Sequence, residues 1–321
     1  MEKRGWLCYN EDINRMDAHP RRENRKEAEP MAITAQTGLL ALLAHPSRHS
    51  KSPLMHNVAF SKLGLDYVYL AFDVDESTIG DAVTAIRAFH MRGANLSMPN
   101  KVKVMEYLDE IAPEAELAGA VNTIVNDDGH LVGHNTDGTG WMRAVRELGV
   151  NLEGEKLTVV GTGGAAKAII AQAALDGARE ISVFNRRSPR WAQAEELVAK
   201  VEAKTGCRVK LWELNTEDEG CMARLKEEIH SSRLLANATN VGMGHLEGQT
   251  YIPDASYFYP GLAVTDAIYN PKETALLQLA REAGCQTQNG DLMVLYQGAV
   301  AFRYWTGKEM PVEEIKPLLG I

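Results

Sequence analysis

A glycine-rich turn at residues 161–166 narrows the possible folds more than any other segment of this sequence. It reads Gly-Thr-Gly-Gly-Ala-Ala, follows the apolar run 157–160 and precedes a run of helix-forming residues. In this G-x-G-x-x-A pattern the first glycine permits a tight turn, and the second lets the backbone approach a pyrophosphate. The pattern predicts a dinucleotide-binding strand, turn and helix, with the phosphates at the helix N-terminus. A turn that serves packing alone is the alternative.

Strands and helices alternate on both sides of this turn, which predicts parallel sheets. The length of 321 residues allows two domains. We therefore expect an α/β fold with two α/β domains, an N-terminal substrate domain with a mainly parallel sheet and a Rossmann-like doubly wound dinucleotide-binding domain. The substrate-binding and catalytic domain is predicted at residues 37–137 plus 291–321, and the NAD(P)-binding Rossmann domain at residues 138–290. Residues 1–36 carry seven basic and seven acidic residues among few apolar ones and are expected to be a disordered extension.

Two local predictions concern the segments around the site. Residues 100–111 are interpreted as a helix that follows the strand 93–99. Residues 121–136 are interpreted as a hairpin with Asp128 and Gly129 at its turn.

The overall composition excludes several classes of function. A net charge of −9 and a pI of about 5.6 argue against a protein that grips nucleic acid. The cysteines form no C-x-x-C pair, so neither a metal site nor a disulfide framework is indicated. The sequence has no run of about 18 apolar residues, so it predicts a cytoplasmic protein without a membrane segment.

The end of the strand after the glycine turn is where such a domain selects its cofactor. An acidic residue there would bind the ribose hydroxyls of NAD, whereas arginine accommodates the 2′-phosphate of NADP. Here the residues are Asn185, Arg186, Arg187, Ser188 and, two positions later, Arg190. They favour NADP, with NAD possible. The alternative is a solvated loop whose arginines offset an acidic surface.

Lys101 and Asp137 are candidates for proton transfer. Lys101 lies beyond the carboxyl end of a strand, where open α/β sheets bind ligands. At the first turn of the predicted helix its positive charge opposes the helix dipole, which favours a chemical role over a structural one. Asp137 lies where the hairpin ends and a helix begins, and capping that helix is its structural alternative. Ser50 and Ser52 could likewise cap a helix or bind a carboxylate.

Taken in order, these segments resemble the shikimate dehydrogenase family, most closely its quinate/shikimate dehydrogenase branch. The resemblance runs from about residue 38 to residue 319. It rests on the segments Ser50-x-Ser52-Pro53, residues 93–101, residues 120–123, residues 135–138, residues 161–165, Asn185-Arg186-Arg187 and residues 296–299.

The resemblance implies the reversible reduction of 3-dehydroshikimate to shikimate, a step towards chorismate and the aromatic amino acids. It implies that Lys101 is the catalytic acid and base, with Asp137 as its partner. The implied substrate contacts are Ser50 and Ser52 for the carboxylate, and Ser97, Asn122, Tyr269 and Gln297. The implied cofactor contacts are Gly161, Thr162, Gly163, Gly164, Ala165, Asn185, Arg186, Arg187, Ser188, Arg190 and Gly290.

The sequence departs from the family pattern in three places. Ser188 stands where the quinate/shikimate branch often carries aspartate, and Asn240 stands where it can show lysine. Asp291 and Leu292 follow Gly290 where small residues are usual. The first departure weakens an assignment of NAD.

The expected function is an NADP-linked shikimate dehydrogenase that acts as a monomer or homodimer on a small-molecule substrate. A quinate dehydrogenase using NAD is the alternative within the same class. A non-catalytic nucleotide sensor on the same fold is the alternative from another class, and the pairing of Lys101 with Asp137 argues against it. The folate-linked methylene dehydrogenases also pair such domains around a lysine, but Ser50 and Ser52 fit them poorly.

Overall fold

The computed structural model describes residues 32–321, so the predicted extension at residues 1–36 lies almost wholly outside the described part of the chain. The described residues form two six-stranded sheets with helices between the strands, as expected. The strands are β1 Gly38–Ala44, β2 Tyr67–Asp73, β3 Gly93–Leu96, β4 Glu110–Ile111, β5 Thr123–Asp127, β6 His130–His134, β7 Lys156–Val160, β8 Glu180–Asn185, β9 Arg208–Glu213, β10 Leu234–Asn237, β11 Ala263–Asp266 and β12 Gln286–Gln288. The helices are α1 Ser52–Leu63, α2 Ile79–Ala88, α3 Pro113–Ala118, α4 Thr136–Glu147, α5 Gly164–Leu175, α6 Trp191–Thr205, α7 Glu219–His230, α8 Ala275–Glu282, α9 Asp291–Thr306 and α10 Val312–Leu319.

The first sheet has the strand order β2-β1-β3-β5-β6-β4. β1 runs parallel to both β2 and β3, and β4 runs parallel to β6. The predicted hairpin is confirmed as β5 and β6, which pair antiparallel. Asp128 and Gly129 form its turn with φ of 49° and 96°, the left-handed conformations that a two-residue hairpin turn requires.

The second sheet is parallel throughout and has the order β12-β11-β10-β7-β8-β9. This is the doubly wound order, in which the chain changes direction between β7 and β10. The carboxyl ends of these two strands therefore flank the crevice where ligands bind in such sheets.

Helices α4 and α9 pack together closely enough that only glycine fits at their contact. A Cβ atom on Gly140 of α4 would lie 2.4 Å from the backbone nitrogen of Gln297 in α9. From α4, the indole nitrogen of Trp141 reaches across to the hydroxyl of Thr265 in β11, 3.3 Å away. These contacts connect α9 and β11 through α4.

The predicted helix at residues 100–111 is wrong. The chain forms a short 3₁₀ helix, Lys103–Tyr107, and then the strand β4. The side chain of Asp109 accepts hydrogen bonds from the backbone N–H of Leu131, at 2.7 Å, and from Arg87, at 2.8 Å. Pairing with β6 has therefore overridden the helical pattern of the sequence.

None of the helices within residues 32–321 combines the length and apolar character needed to cross a bilayer.

One buried histidine has no polar partner in the apolar core beneath the first sheet. The His56 ring stacks on Tyr69 with centroids 4.5 Å apart and lies 5.3 Å from the ring of Trp305. Neither ring nitrogen makes a hydrogen bond. Burial lowers the pKa of His56 from 6.5 to about 3, because the apolar surroundings disfavour the charged form.

This pKa predicts a loss of stability in acid. The unfolded chain binds a proton at His56 below pH 6.5 and the folded chain does so only near pH 3, so stability falls across that interval as the pH drops. The slope from this group is about 1.4 kcal/mol per pH unit. We expect His56→Leu to flatten the dependence of the free energy of unfolding on pH between pH 6 and pH 4, measured by urea denaturation. The exposed His245 provides the control, since His245→Leu should leave that slope unchanged. An equal slope for wild type and His56→Leu would contradict the assignment.

Candidate active site

Lys101 and Asp137 form an ion pair at the carboxyl edge of the first sheet. The ammonium nitrogen of Lys101 lies 2.6 Å from Oδ2 of Asp137, and the two side chains are 26% and 13% exposed. Lys101 precedes only the short 3₁₀ helix, so the expected opposition between its charge and a helix dipole does not apply. Its backbone is held by Val121, whose N–H donates to the Lys101 carbonyl at 2.8 Å.

Asn122 holds the second oxygen of the Asp137 carboxylate. Its Nδ2 donates to Oδ1 of Asp137 at 2.7 Å and lies 3.5 Å from Oε1 of Gln297. Its Oδ1 accepts the backbone N–H of Thr136 at 2.8 Å. Asn122 is 2% exposed, so the carboxylate is fixed by a buried donor on one side and by Lys101 on the other.

Asp137 does not cap the helix that it opens. The cap of α4 is Asn135, whose Oδ1 accepts the backbone N–H of Asp137 at 3.1 Å and whose Nδ2 donates to the carbonyl of Ala120 at 2.9 Å. The capping interpretation of Asp137 is therefore wrong. With the cap supplied by Asn135, the Asp137 carboxylate is available to Lys101.

The predicted serines lie after β1 and β3, two parallel neighbours whose carboxyl ends share an edge with Lys101. At the start of α1 the backbone N–H of Ser52 donates to the hydroxyl of Ser50 at 3.1 Å. The cap position is Lys51 and no side chain caps the helix, so the capping interpretation of the serines is wrong. Ser50 is exposed, and Ser52 and Ser97 are half-buried. Their side chains can therefore be reached from solvent.

A cleft of about 1100 Å³ joins Lys101 to the glycine turn, since its wall includes both. Gly161 has a φ of 108°, and a Cβ atom there would lie 2.9 Å from the carbonyl oxygen of Ala238. Gly163 and Gly164 differ, because a Cβ atom on either would meet nothing within 4 Å. Their backbone therefore faces open space where α5 begins, a geometry that fits a pyrophosphate. Thr162 also lines the cleft.

The arginines after β8 separate into two groups. Arg186 and Arg190 line the cleft together with Asn185 and Ser188. Arg187 points elsewhere: its guanidinium stacks 4.0 Å from the centroid of the Trp191 ring, and its Nε donates to Glu213 at 3.1 Å. The cleft thus presents two positive side chains at the place where a 2′-phosphate is expected.

Tyr269 and Gly290 follow β11 and β12 at the same edge of the second sheet, outside the wall of the cleft. Tyr269 is 48% exposed. A Cβ atom on Gly290 would lie 2.2 Å from the carbonyl oxygen of Ala267, so close packing alone explains this glycine. Asp266 lies at the end of β11 beneath these loops, and burial raises its pKa although Thr274, Asn237 and a backbone N–H donate to it.

Several residues of the cleft wall were absent from the sequence prediction. Most follow the carboxyl ends of β9 and β10, and the doubly wound strand order is the signal that could have found them. They include Lys167, Gln193, Asn215, Thr216, Glu217, Thr239, Asn240, Gln249, Thr250 and Tyr251.

Family models and known relatives match the sequence of this chain. The substrate binding domain of shikimate dehydrogenase matches residues 42–124, and the C-terminal domain of shikimate 5′-dehydrogenase matches residues 293–319. The shikimate dehydrogenase (NADP(+)) of Listeria monocytogenes is 53% identical over 287 residues, covering 89% of this chain and 97% of the relative.

Two crystal structures show how far the likeness extends in three dimensions. The shikimate 5-dehydrogenase of Listeria monocytogenes in complex with shikimate and NAD is 53% identical, with a TM-score of 0.86 over 89% of this chain and 98% of that one. A shikimate dehydrogenase in complex with NADP+ is 35% identical, with a TM-score of 0.79 over 90% of this chain and 96% of that one.

Proposed function

Because this chain belongs to the shikimate dehydrogenase family, we propose that it catalyses the reversible, NADP-linked reduction of 3-dehydroshikimate to shikimate. The observation that carries the proposal is the contact between Lys101 and Asp137 on a cleft whose wall also holds the glycine turn. A proton-transfer group and a dinucleotide site share one space, as the oxidation of an alcohol requires.

In this reaction the residues of the protein transfer the proton. When bound, the nicotinamide would exchange a hydride with the carbon that carries the reacting oxygen. In reduction Lys101 donates a proton to the carbonyl oxygen of 3-dehydroshikimate, and in oxidation its neutral amine accepts the proton of the shikimate hydroxyl. Asp137 holds the ammonium nitrogen in place, and Asn122 holds Asp137.

The substrate would lie over the carboxyl edge of the first sheet. Ser50 and Ser52 at the start of α1 would bind its carboxylate, where the helix N-terminus adds attraction for negative charge. Ser97, Asn122, Tyr269 and Gln297 would bind its hydroxyls. The approach of Gln297 to within 3.5 Å of Asn122 supports this grouping.

The cofactor would lie along the second sheet. The backbone of residues 161–165 would bind the pyrophosphate, and Arg186 with Arg190 would bind the 2′-phosphate, since paired guanidinium hydrogen bonds suit phosphate. Arg187 would act only by supporting this loop. We propose the domain division accordingly, with residues 37–137 plus 291–321 for the substrate and residues 138–290 for the cofactor.

Comparing two substrates with two cofactors tests the function. We expect kcat/KM to be highest for shikimate with NADP+, because two guanidinium groups face the cleft and no carboxylate follows Asn185 directly. The assay is the appearance of reduced cofactor on oxidation of shikimate or quinate. A kcat/KM for quinate with NAD+ that exceeds that of shikimate with NADP+ would overturn the assignment.

Replacing the lysine tests its chemical role. We expect Lys101→Ala to lower kcat by at least about 100-fold, the lower range for general acid-base catalysis. Lys103→Ala is the matched control: this exposed lysine pairs with Glu106 and should keep wild-type turnover. Unchanged kcat in Lys101→Ala would remove the proposed role.

Replacing Arg186 or Arg187 should change the KM for NADP+ by different amounts. We expect Arg186→Ala to raise the KM for NADP+ about 10-fold, the loss of a charged hydrogen bond, while the KM for NAD+ changes less than about 2-fold. Arg187→Ala removes a side chain that faces Trp191 and Glu213, so its effect on NADP+ should be smaller. Equal changes for both cofactors in Arg186→Ala would show that this arginine does not recognise the phosphate.

A further inference from the structure

A row of buried polar side chains crosses the first sheet beneath the site. It consists of Tyr69 in β2, Asn95 in β3, Thr123 in β5 and Asn122 just before β5, which are 0%, 4%, 0% and 2% exposed. Burying such groups costs free energy unless each finds a partner. Here every member is hydrogen-bonded to the next.

The row ends at the ion pair. The hydroxyl of Tyr69 donates to Oδ1 of Asn95 at 2.8 Å, and Nδ2 of Asn95 donates to the hydroxyl of Thr123 at 3.0 Å. The hydroxyl of Thr123 donates to Oδ1 of Asn122 at 2.9 Å. Nδ2 of Asn122 then donates to Asp137 at 2.7 Å.

The backbone fixes the orientation of both amides in this row. Oδ1 of Asn122 faces the N–H of Thr136, which can only donate, so the Asn122 Nδ2 must face Asp137. Nδ2 of Asn95 lies 3.2 Å from the carbonyl of Asn122, which can only accept, so the Asn95 Oδ1 must face Tyr69. Each hydroxyl has one proton to give, and the donors therefore all point from Tyr69 towards Asp137.

The other end of the row meets α1, the helix that begins at Ser52. Burial raises the pKa of Tyr69, and the Ser52 side chain partly offsets that rise. The side chain of Asn57 in α1 also binds the Tyr69 backbone. Its Nδ2 donates to the Tyr69 carbonyl and its Oδ1 accepts the Tyr69 N–H, at 2.8 Å each. The start of α1 is thereby tied to Tyr69.

Packing alone does not explain the Tyr69 hydroxyl. The Tyr69 ring lies in an aromatic cluster with His56 and Trp305, where a phenylalanine ring would fill the same space. The hydroxyl adds the hydrogen bond to Asn95.

We propose that Tyr69 is a positioning residue that acts through Asn95 and Thr123 to orient Asn122 and Asp137. This inference rests on the proposed function. It assigns to the row an effect on turnover at Lys101 and none on the cofactor.

Removing the hydroxyl alone tests this assignment in the full-length enzyme. We expect Tyr69→Phe to lower kcat by up to about 10-fold, the worth of one hydrogen bond, with the KM for NADP+ unchanged. The pH profile of kcat/KM should also shift, because the donors around Asp137 change. The control is Tyr257→Phe, which removes a hydroxyl that donates to the carbonyl of Met222 in a different core and should leave all constants at wild-type values.

Thr123 provides a second test that does not depend on the aromatic core. Thr123→Val keeps the shape and removes the hydroxyl, whereas Thr123→Ser keeps the hydroxyl. We expect a loss of kcat in Thr123→Val and near wild-type kcat in Thr123→Ser. In an Asp137→Asn background Thr123→Val should lower kcat no further, because its effect passes through that carboxylate.

Wild-type constants in both Tyr69→Phe and Thr123→Val, with only a lower melting temperature, would overturn the proposal and leave the row a structural role. Failure of the proposed function has a different signature, because the unaltered enzyme would then not oxidise shikimate at all.

Discussion

The close approach of α4 and α9 at Gly140 is the contact on which the site depends. The first helix carries Asp137 and the second carries Gln297, and the backbones can meet only because Gly140 has no side chain. The same α4 reaches β11 through Trp141. One helix crossing therefore sets where the proton-transfer pair lies relative to both sheets. A shift of α9 along α4 would move Gln297 away from Asn122.

Much of this arrangement was predictable because it depends on local patterns. The glycine turn, the arginines and the hairpin turn at Asp128 and Gly129 each require particular residue types at particular places, and the structure confirms the glycine and hairpin turns. The positions of Lys101 and Asp137 in the chain suggested a proton-transfer pair, the family resemblance implied the same pair, and the structure places Nζ of Lys101 2.6 Å from Oδ2 of Asp137. The roles of the individual substrate and cofactor residues remain proposals.

The rest could not be read from the sequence because it depends on partners distant in the chain. Residues 100–111 have a helical pattern, yet the Asp109 carboxylate accepts the N–H of Leu131, and Glu110–Ile111 join the sheet as β4. Arg187 is indistinguishable from Arg186 in sequence, and the positions of Trp191 and Glu213 turn it away from the cleft. Tyr69 belongs to no motif, and Asn95 lies in the segment 93–101 but was not predicted as a site residue. Their relation to Asp137 exists only once β1 has joined β2 and β3 in one sheet and β5 has paired with β3.

The hairpin reduces the chain entropy that is lost when the site forms. Asn122 and Asp137 are 15 residues apart, and the two strands and tight turn between them return the chain to its starting point. Lys101 is 36 residues from Asp137, whereas Gln297 is 175 residues from Asn122. The entropy lost in closing a loop grows with its length, so the contacts among Lys101, Asn122 and Asp137 are the least costly. A growing chain can therefore form them before the helix that brings Gln297 has been made.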